Sequence, residues 1–137
     1  MTGIDTNVLV RYLVQDDPEQ SAQATRFIEE EISSASKGFV ASIALCETIW
    51  VLARAYKQPK EVLLKAIRGI LEAEAFEVEN RDCAWRAYFD FDEGEADFSD
   101  YLIAEICKAK GASATVSFDK RALKHRLFKS PASSFSV

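Results

Sequence analysis

Five acidic residues end or interrupt apolar segments: Asp5, Glu47, Asp97, Asp100 and Asp119. The other acids lie mostly in polar, solvated stretches. Glu47 is the sharpest case, because Ile43, Ala44, Trp50 and Val51 lie one helical turn to either side of it. A helix here is expected to bury the carboxylate, and a buried charge needs a cation, a hydrogen-bond network or a proton. Few Lys or Arg residues lie near enough in sequence to neutralise all five acids. One divalent metal ion can serve several of them, and acids gathered around such an ion commonly carry out phosphate chemistry.

Each acid also has a plain structural role open to it. Asp5 and Asp97 could cap helices, and Asp119 before Lys120-Arg121 could shape a turn. Glu47 could pair with Arg11 or Arg54. Asp100 is harder to explain this way, because its helical face continues through Ile103, Ala104 and Cys107. The joint pattern weighs more than any member. Two carboxylates ~5 Å apart repel by roughly 3 kcal/mol at an effective dielectric of ~20. Converging acids without an ion would strain the fold or carry raised pKa values. Mg²⁺ or Mn²⁺ relieves that repulsion, prefers oxygen ligands and retains water that can serve as a nucleophile. Such chemistry does not require a histidine base. His125 is the only histidine, and its neighbours Lys124 and Arg126 look like a solvated basic surface, which disfavours Ser-His-Asp and Cys-His sites.

The elements that must position these acids follow from periodicity and punctuation. Gly3-Ile4-Asp5 opens as a short strand, and Val8 to Leu13 favours a helix capped by Asp5 or Thr6. Pro18 starts a second helix with Ala24, Phe27, Ile28 and Ile32 on one face. Gly38 to Ala41 reads as a buried strand, after which Ser42 is expected to cap a helix running to about Tyr56. A helix from Pro59 places Leu63, Ala66, Ile67, Ile70 and Leu71 at helical spacing. Phe76 to Glu79 alternates like a half-exposed strand. A helix rich in aromatics (Trp85, Tyr88, Phe89, Phe91) follows. Asp97 then opens a helix with Leu102, Ile103, Ile106 and Cys107 as its core side, closed by Gly111. Ala114 to Phe118 is the clearest strand and leads into Asp119, and Ser134 to Val137 is a candidate last strand. Strands alternating with helices imply an α/β sandwich around a mainly parallel sheet. In such sheets ligands gather beyond the carboxyl ends of the strands, where Asp5 and Asp119 lie.

With 137 residues and 48% hydrophobic content, one domain spanning residues 1–137 with a real core is expected. No run of about eighteen apolar residues is present, so no membrane span is expected. The N-terminal stretch lacks a basic leader, which points to the cytoplasm. Cys46, Cys83 and Cys107 are odd in number and widely spaced, as free thiols in a reducing compartment would be. The net charge is −5, unevenly spread. Twelve acids face two bases from Glu72 to Glu105, whereas seven bases face Asp119 alone from Lys108 to Lys129. The basic segment is either a solvated face or a rim for phosphates beside an acidic pocket.

Four segments then resemble one family. Gly-Ile-Asp5-Thr6-Asn7-Val-Leu-Val resembles the opening of PIN-domain nucleases, specifically the VapC-type toxins of bacterial toxin–antitoxin pairs. Ala-Leu-Cys-Glu47-Thr-Ile-Trp-Val-Leu is similar to the segment carrying that family's second acid. Ala-Asp97-Phe-Ser-Asp100-Tyr-Leu-Ile-Ala resembles the third, and Val-Ser117-Phe-Asp119-Lys-Arg the fourth, with Ser117 where many members have Thr. The likeness runs through the whole chain in order.

It implies a three-layer α/β/α fold and a Mg²⁺- or Mn²⁺-dependent endoribonuclease. Asp5 and Asp100 would be principal metal ligands, with Glu47 and Asp119 completing the set and Asp97 accessory. Thr6, Asn7 and Ser117 would hold the acids by hydrogen bonds. Lys120, Arg121 and Lys124 are expected to grip RNA phosphates. A cognate antitoxin and a homodimer are the implied protein partners, and Trp85 to Phe91 is a candidate interface. A PIN-like module that binds RNA or protein without cutting is the main rival. A phosphate-accepting receiver fits less well, because Asp5-Thr6-Asn7 lacks the expected acid pair.

Overall fold

The computed structural model describes residues 1–134, and the chain divides into two compact units, Met1–Arg81 and Asp82–Val137. In the first, strands β1 (Thr2–Gly3), β2 (Gly38–Val40) and β3 (Phe76–Val78) form a parallel sheet in that order. Thr2 lies opposite Gly38, which in turn lies opposite Phe76. Parallel neighbours need crossover connections. Helices α1 (Thr6–Val14) and α2 (Pro18–Arg26) make the first, with a π-helical turn at Phe27–Glu31. Helices α3 (Ser42–Arg54) and α4 (Lys60–Glu72) make the second. The core joins Ile4, Val40, Phe76 and Val78 of the strand segments to Leu9, Ile28, Leu45, Ile49, Ile67 and Leu71 of the helices. Glu77 points outward between buried Phe76 and Val78, the alternation expected of that strand.

The second unit holds most of α5 (Arg81–Glu93) together with α6 (Phe98–Ala109) and β4 (Thr115–Val116). A 3-10 turn at Ala122–Lys124, β5 (Phe128–Lys129) and a last helical turn α7 (Pro131–Ser134) complete it. Strands β4 and β5 run parallel, with Thr115 opposite Phe128. Helix α6 ends as expected at Gly111, whose φ of 100° suits a residue without a Cβ. Among the described residues no helix is long and apolar enough to cross a membrane.

Several local expectations need correction. Ser42 is the first residue of α3, not its cap. Its N–H donates to Glu79 Oε1 at 2.8 Å and its hydroxyl to the Glu79 carbonyl at 3.2 Å, which ties α3 to the end of β3. Helix α6 is rotated from the orientation expected of it. Phe98, Tyr101, Leu102, Ala104 and Glu105 face inward while Ile103 is exposed. The strand expected from Ala114 to Phe118 is only Thr115–Val116, although Ser117 N–H still donates to the Lys129 carbonyl at 3.0 Å. Its partner Phe128–Lys129 lies within the basic segment. The strand expected at Ser134–Val137 falls outside the described residues except for Ser134, which ends α7.

Candidate functional site

In the first unit the sheet delivers Asp5. Ile4 continues the ladder by donating its N–H to the Phe39 carbonyl at 2.9 Å and is itself buried. The next residue, Asp5, stands exposed at the start of α1. It occupies the cap position, yet its side chain makes no capping hydrogen bond. The carboxylate is therefore not spent on the helix. Thr6, buried in the first turn of α1, donates its hydroxyl to Glu47 Oε1 across to α3 at 2.5 Å. Asn7 is exposed and lines an open cleft with Arg11, Gln20 and Phe27.

The expected burial of Glu47 is overturned, because Glu47 is exposed. Leu45, Thr48, Ile49 and Leu52 form the inward stripe of α3, and the opposite stripe carries Ile43 (80% exposed), Glu47 and Trp50 (54% exposed). Arg11, once a possible partner for Glu47, is engaged by Asp16, Gln20 and Tyr56. What distinguishes Glu47 is its short bond from a buried hydroxyl, on a helix face that leaves apolar groups in solvent.

In the second unit Asp97 and Asp100 form a capping box at the start of α6, with Asp97 N–H donating to Asp100 Oδ2 at 3.2 Å. The bland reading of Asp97 as a cap thus holds. Burial pushes the Asp100 carboxyl above its ordinary range. The Asp97 N–H opposes that shift, and the charges of Asp119 and Asp97 add to it. Asp119 moves the other way. Its Oδ1 accepts the N–H groups of Ala122 (3.0 Å) and Arg121 (2.8 Å), and these bonds lower its pKa. Ser117 Oγ accepts the Asp119 N–H at 3.0 Å, which fixes the turn from the strand side. Arg121 lies 3.9 Å from Asp97, and Lys124 lies 2.5 Å from Glu95. Two of the three bases expected to grip phosphate are therefore paired, and Lys120 is exposed.

The donor chemistry of both sets suits a hard divalent cation. Thr6 holds Glu47 through Oε1, the Asp97 N–H holds Asp100 through Oδ2, and backbone N–H groups hold Asp119 through Oδ1. In each case a second carboxylate oxygen is left to bind something else. Among the described residues no three His, Cys, Asp or Glu side chains gather closely enough to hold an ion.

A second polar cluster was not anticipated from sequence. Glu105, only 2% exposed, lies 3.3 Å through Oε1 from Arg86 Nε. Asp90 faces it and lies 3.1 Å from His125 Nε2. His125 is thus no solvated basic residue, since its ring sits mostly buried against Tyr101 and Phe128. Burial raises Glu105 to about 6, helped by its hydrogen bond with Asp90 and the Asp90 charge, and opposed by Arg86. A proton on Glu105 supplies the donor for its hydrogen bond with Asp90. Because the folded pKa is raised, this stabilisation is complete below about 4.5 and is lost as pH rises through about 6, an effect of about 2 kcal/mol. Burial lowers the His125 pKa, with Arg126 adding to the shift while Glu105 and Glu93 oppose it. That contribution has the opposite pH slope and must be subtracted. Glu105→Gln should therefore gain stability relative to wild type between pH 5 and pH 7. Thermal melts running parallel across that range would contradict the assignment.

A family model described as the PIN domain matches residues 4–126. A VapC ribonuclease of Aquifex aeolicus (strain VF5) is 28% identical over 121 residues, covering 88% of this chain and 89% of that protein. The family match begins in the segment that delivers Asp5 and ends beyond Asp119, so it takes in all five acids, and the chain belongs to the PIN-domain family.

Proposed function

We propose that this PIN domain is a divalent-metal-dependent endoribonuclease and the toxin of a toxin–antitoxin pair. The observation that carries the reading is the state of the four acids. Neither Asp5 oxygen has a hydrogen-bond partner among the described residues. Glu47, Asp100 and Asp119 are each fixed through one named oxygen, leaving the other for a ligand. Similarity to a VapC ribonuclease supports RNA as the substrate.

Asp5, Glu47, Asp100 and Asp119 would hold Mg²⁺ or Mn²⁺, with Asp97 accessory. When bound, such an ion would supply Lewis-acid chemistry, drawing charge from a phosphoryl oxygen and lowering the pKa of water so that hydroxide is available as the nucleophile. The residues of the chain orient the ligands and the RNA. Thr6 selects the Glu47 rotamer, and Ser117 with the Arg121 and Ala122 amides aims Asp119. Lys120 meets flanking phosphate directly. Arg121 and Lys124 can join it by leaving Asp97 and Glu95, because exposed ion pairs are worth at most about 1 kcal/mol.

The protein partners on this reading are an antitoxin and a second copy of the chain, in the cytoplasm. Tyr88 and Phe91 of the aromatic helix are core, while the 57% exposed Phe89, stacked on Trp85, offers apolar surface to either partner. The test is incubation of the purified chain with RNA and Mg²⁺, Mn²⁺ or chelator. Cutting should require the ion. RNA binding without cutting under any of these conditions would favour a non-catalytic module, and cutting in chelator would overturn the metal mechanism.

A further inference from the structure

We infer that Phe118 and Lys120 clamp one unpaired nucleotide beside the scissile phosphate, with the Phe118 ring stacked on its base and the Lys120 ammonium paired with its phosphate. This deepens the ribonuclease reading and rests on it. Phe118 is 86% exposed and immediately precedes Asp119. Single exposed apolar residues are ordinary, but the backbone carrying this one is held on both sides. Ser117 N–H donates to the Lys129 carbonyl, and Ser117 Oγ accepts the Asp119 N–H. Beyond it, Asp119 Oδ1 accepts two N–H groups and the Asp119 carbonyl accepts that of Leu123. A ring presented on a fixed backbone loses little freedom when a base stacks on it.

Lys120 supplies the second half. It is exposed and has no hydrogen bond or ion pair among the described residues, whereas Arg121 and Lys124 are both paired. Two residues along an extended chain span at most about 7 Å. The ring and the ammonium can therefore engage the base and phosphate of one nucleotide, with Asp119 between them in sequence. Helical stacking hides both faces of a base in a duplex, so the clamp selects an unpaired nucleotide. Purines, with the larger π surface, should be held better than pyrimidines.

The test uses short single-stranded RNAs carrying a purine or an abasic nucleotide beside the cleaved bond. Phe118→Ala should raise KM about tenfold on the purine substrate and leave kcat nearly unchanged, while Phe118→Trp restores it. On the abasic substrate the Phe118→Ala loss should vanish. Lys120→Ala should lower the slope of log affinity against log salt by about one contact. Wild-type KM in Phe118→Ala, or an equal loss on the abasic RNA, would overturn the clamp. So would a loss that tracks a change in sedimentation, since Phe118 would then belong to a protein interface. RNA bearing 2-aminopurine at the same position separates this inference from the activity it rests on. If wild type binds without cutting, Phe118-dependent fluorescence quenching still supports the clamp while the nuclease reading falls, and no quenching removes both.

Discussion

Asp100→Asn should reduce ion-dependent RNA cleavage by about a thousandfold, equivalent to about 4 kcal/mol of barrier, and should raise the melting temperature of the metal-free protein. Asparagine is the informative substitution because it keeps an oxygen to accept the Asp97 N–H and so preserves the start of α6. What it removes is charge. Asp100 is half-buried, and the charges of Asp119 and Asp97 add to the burial that already raises its pKa. Removing that charge in the absence of an ion relieves both burdens. Solvent reaches part of the site and screens the repulsion, so the gain should be small, about 2 °C. Function and stability thus move in opposite directions, as expected where charge is kept for a ligand and not for the fold. A lower melting temperature in the metal-free mutant would argue that Asp100 serves mainly as a cap.

Gly94→Ala should be the most damaging of the small substitutions, costing about 3 kcal/mol and about 10 °C. The requirement is for space. A Cβ at position 94 would run into the Tyr101 hydroxyl and lie 3.0 Å from the Asp90 carbonyl. Tyr101 is 1% exposed, with its ring edge-on to His125 and Phe128 and its hydroxyl accepting the Ala96 N–H at 3.2 Å, so moving it costs packing and a hydrogen bond. Tyr101 follows Asp100 on α6, so displacing the ring should also misplace the carboxylate and lower cleavage. Tyr101→Phe in the same chain removes the clashing oxygen and should recover part of the lost stability. Melting of Gly94→Ala within about 2 °C of wild type would show that the ring has room to move.

The acids of the candidate site were legible because they stand at ends of elements, where a charged residue after an apolar run is conspicuous. Asp5 after the first strand, Asp97 and Asp100 at the mouth of α6, and Asp119 after β4 all occupy the expected places. The orientation of helices was harder to read. Helix α3 is apolar on nearly every side, so composition could not say which stripe faces inward, and Ile43, Glu47 and Trp50 proved to be the outer one. The same ambiguity hid Glu105, whose neighbours Ile103 and Cys107 looked like better core residues. A two-residue strand such as Phe128–Lys129 is too short to show alternation, and the basic residues around it read as surface. His125 was misjudged for the same reason. Its lysine and arginine neighbours point to solvent, while its own ring fills space beside Tyr101.

The most direct measurement is Mn²⁺ affinity, by calorimetry, for wild type, Asp5→Asn, Asp100→Asn and the double mutant. If acids from both ends of the chain serve one ion, either single change should weaken binding by at least tenfold, and the two effects should fail to add. Binding that survives both substitutions, or losses that sum as independent sites would, contradicts a common metal centre.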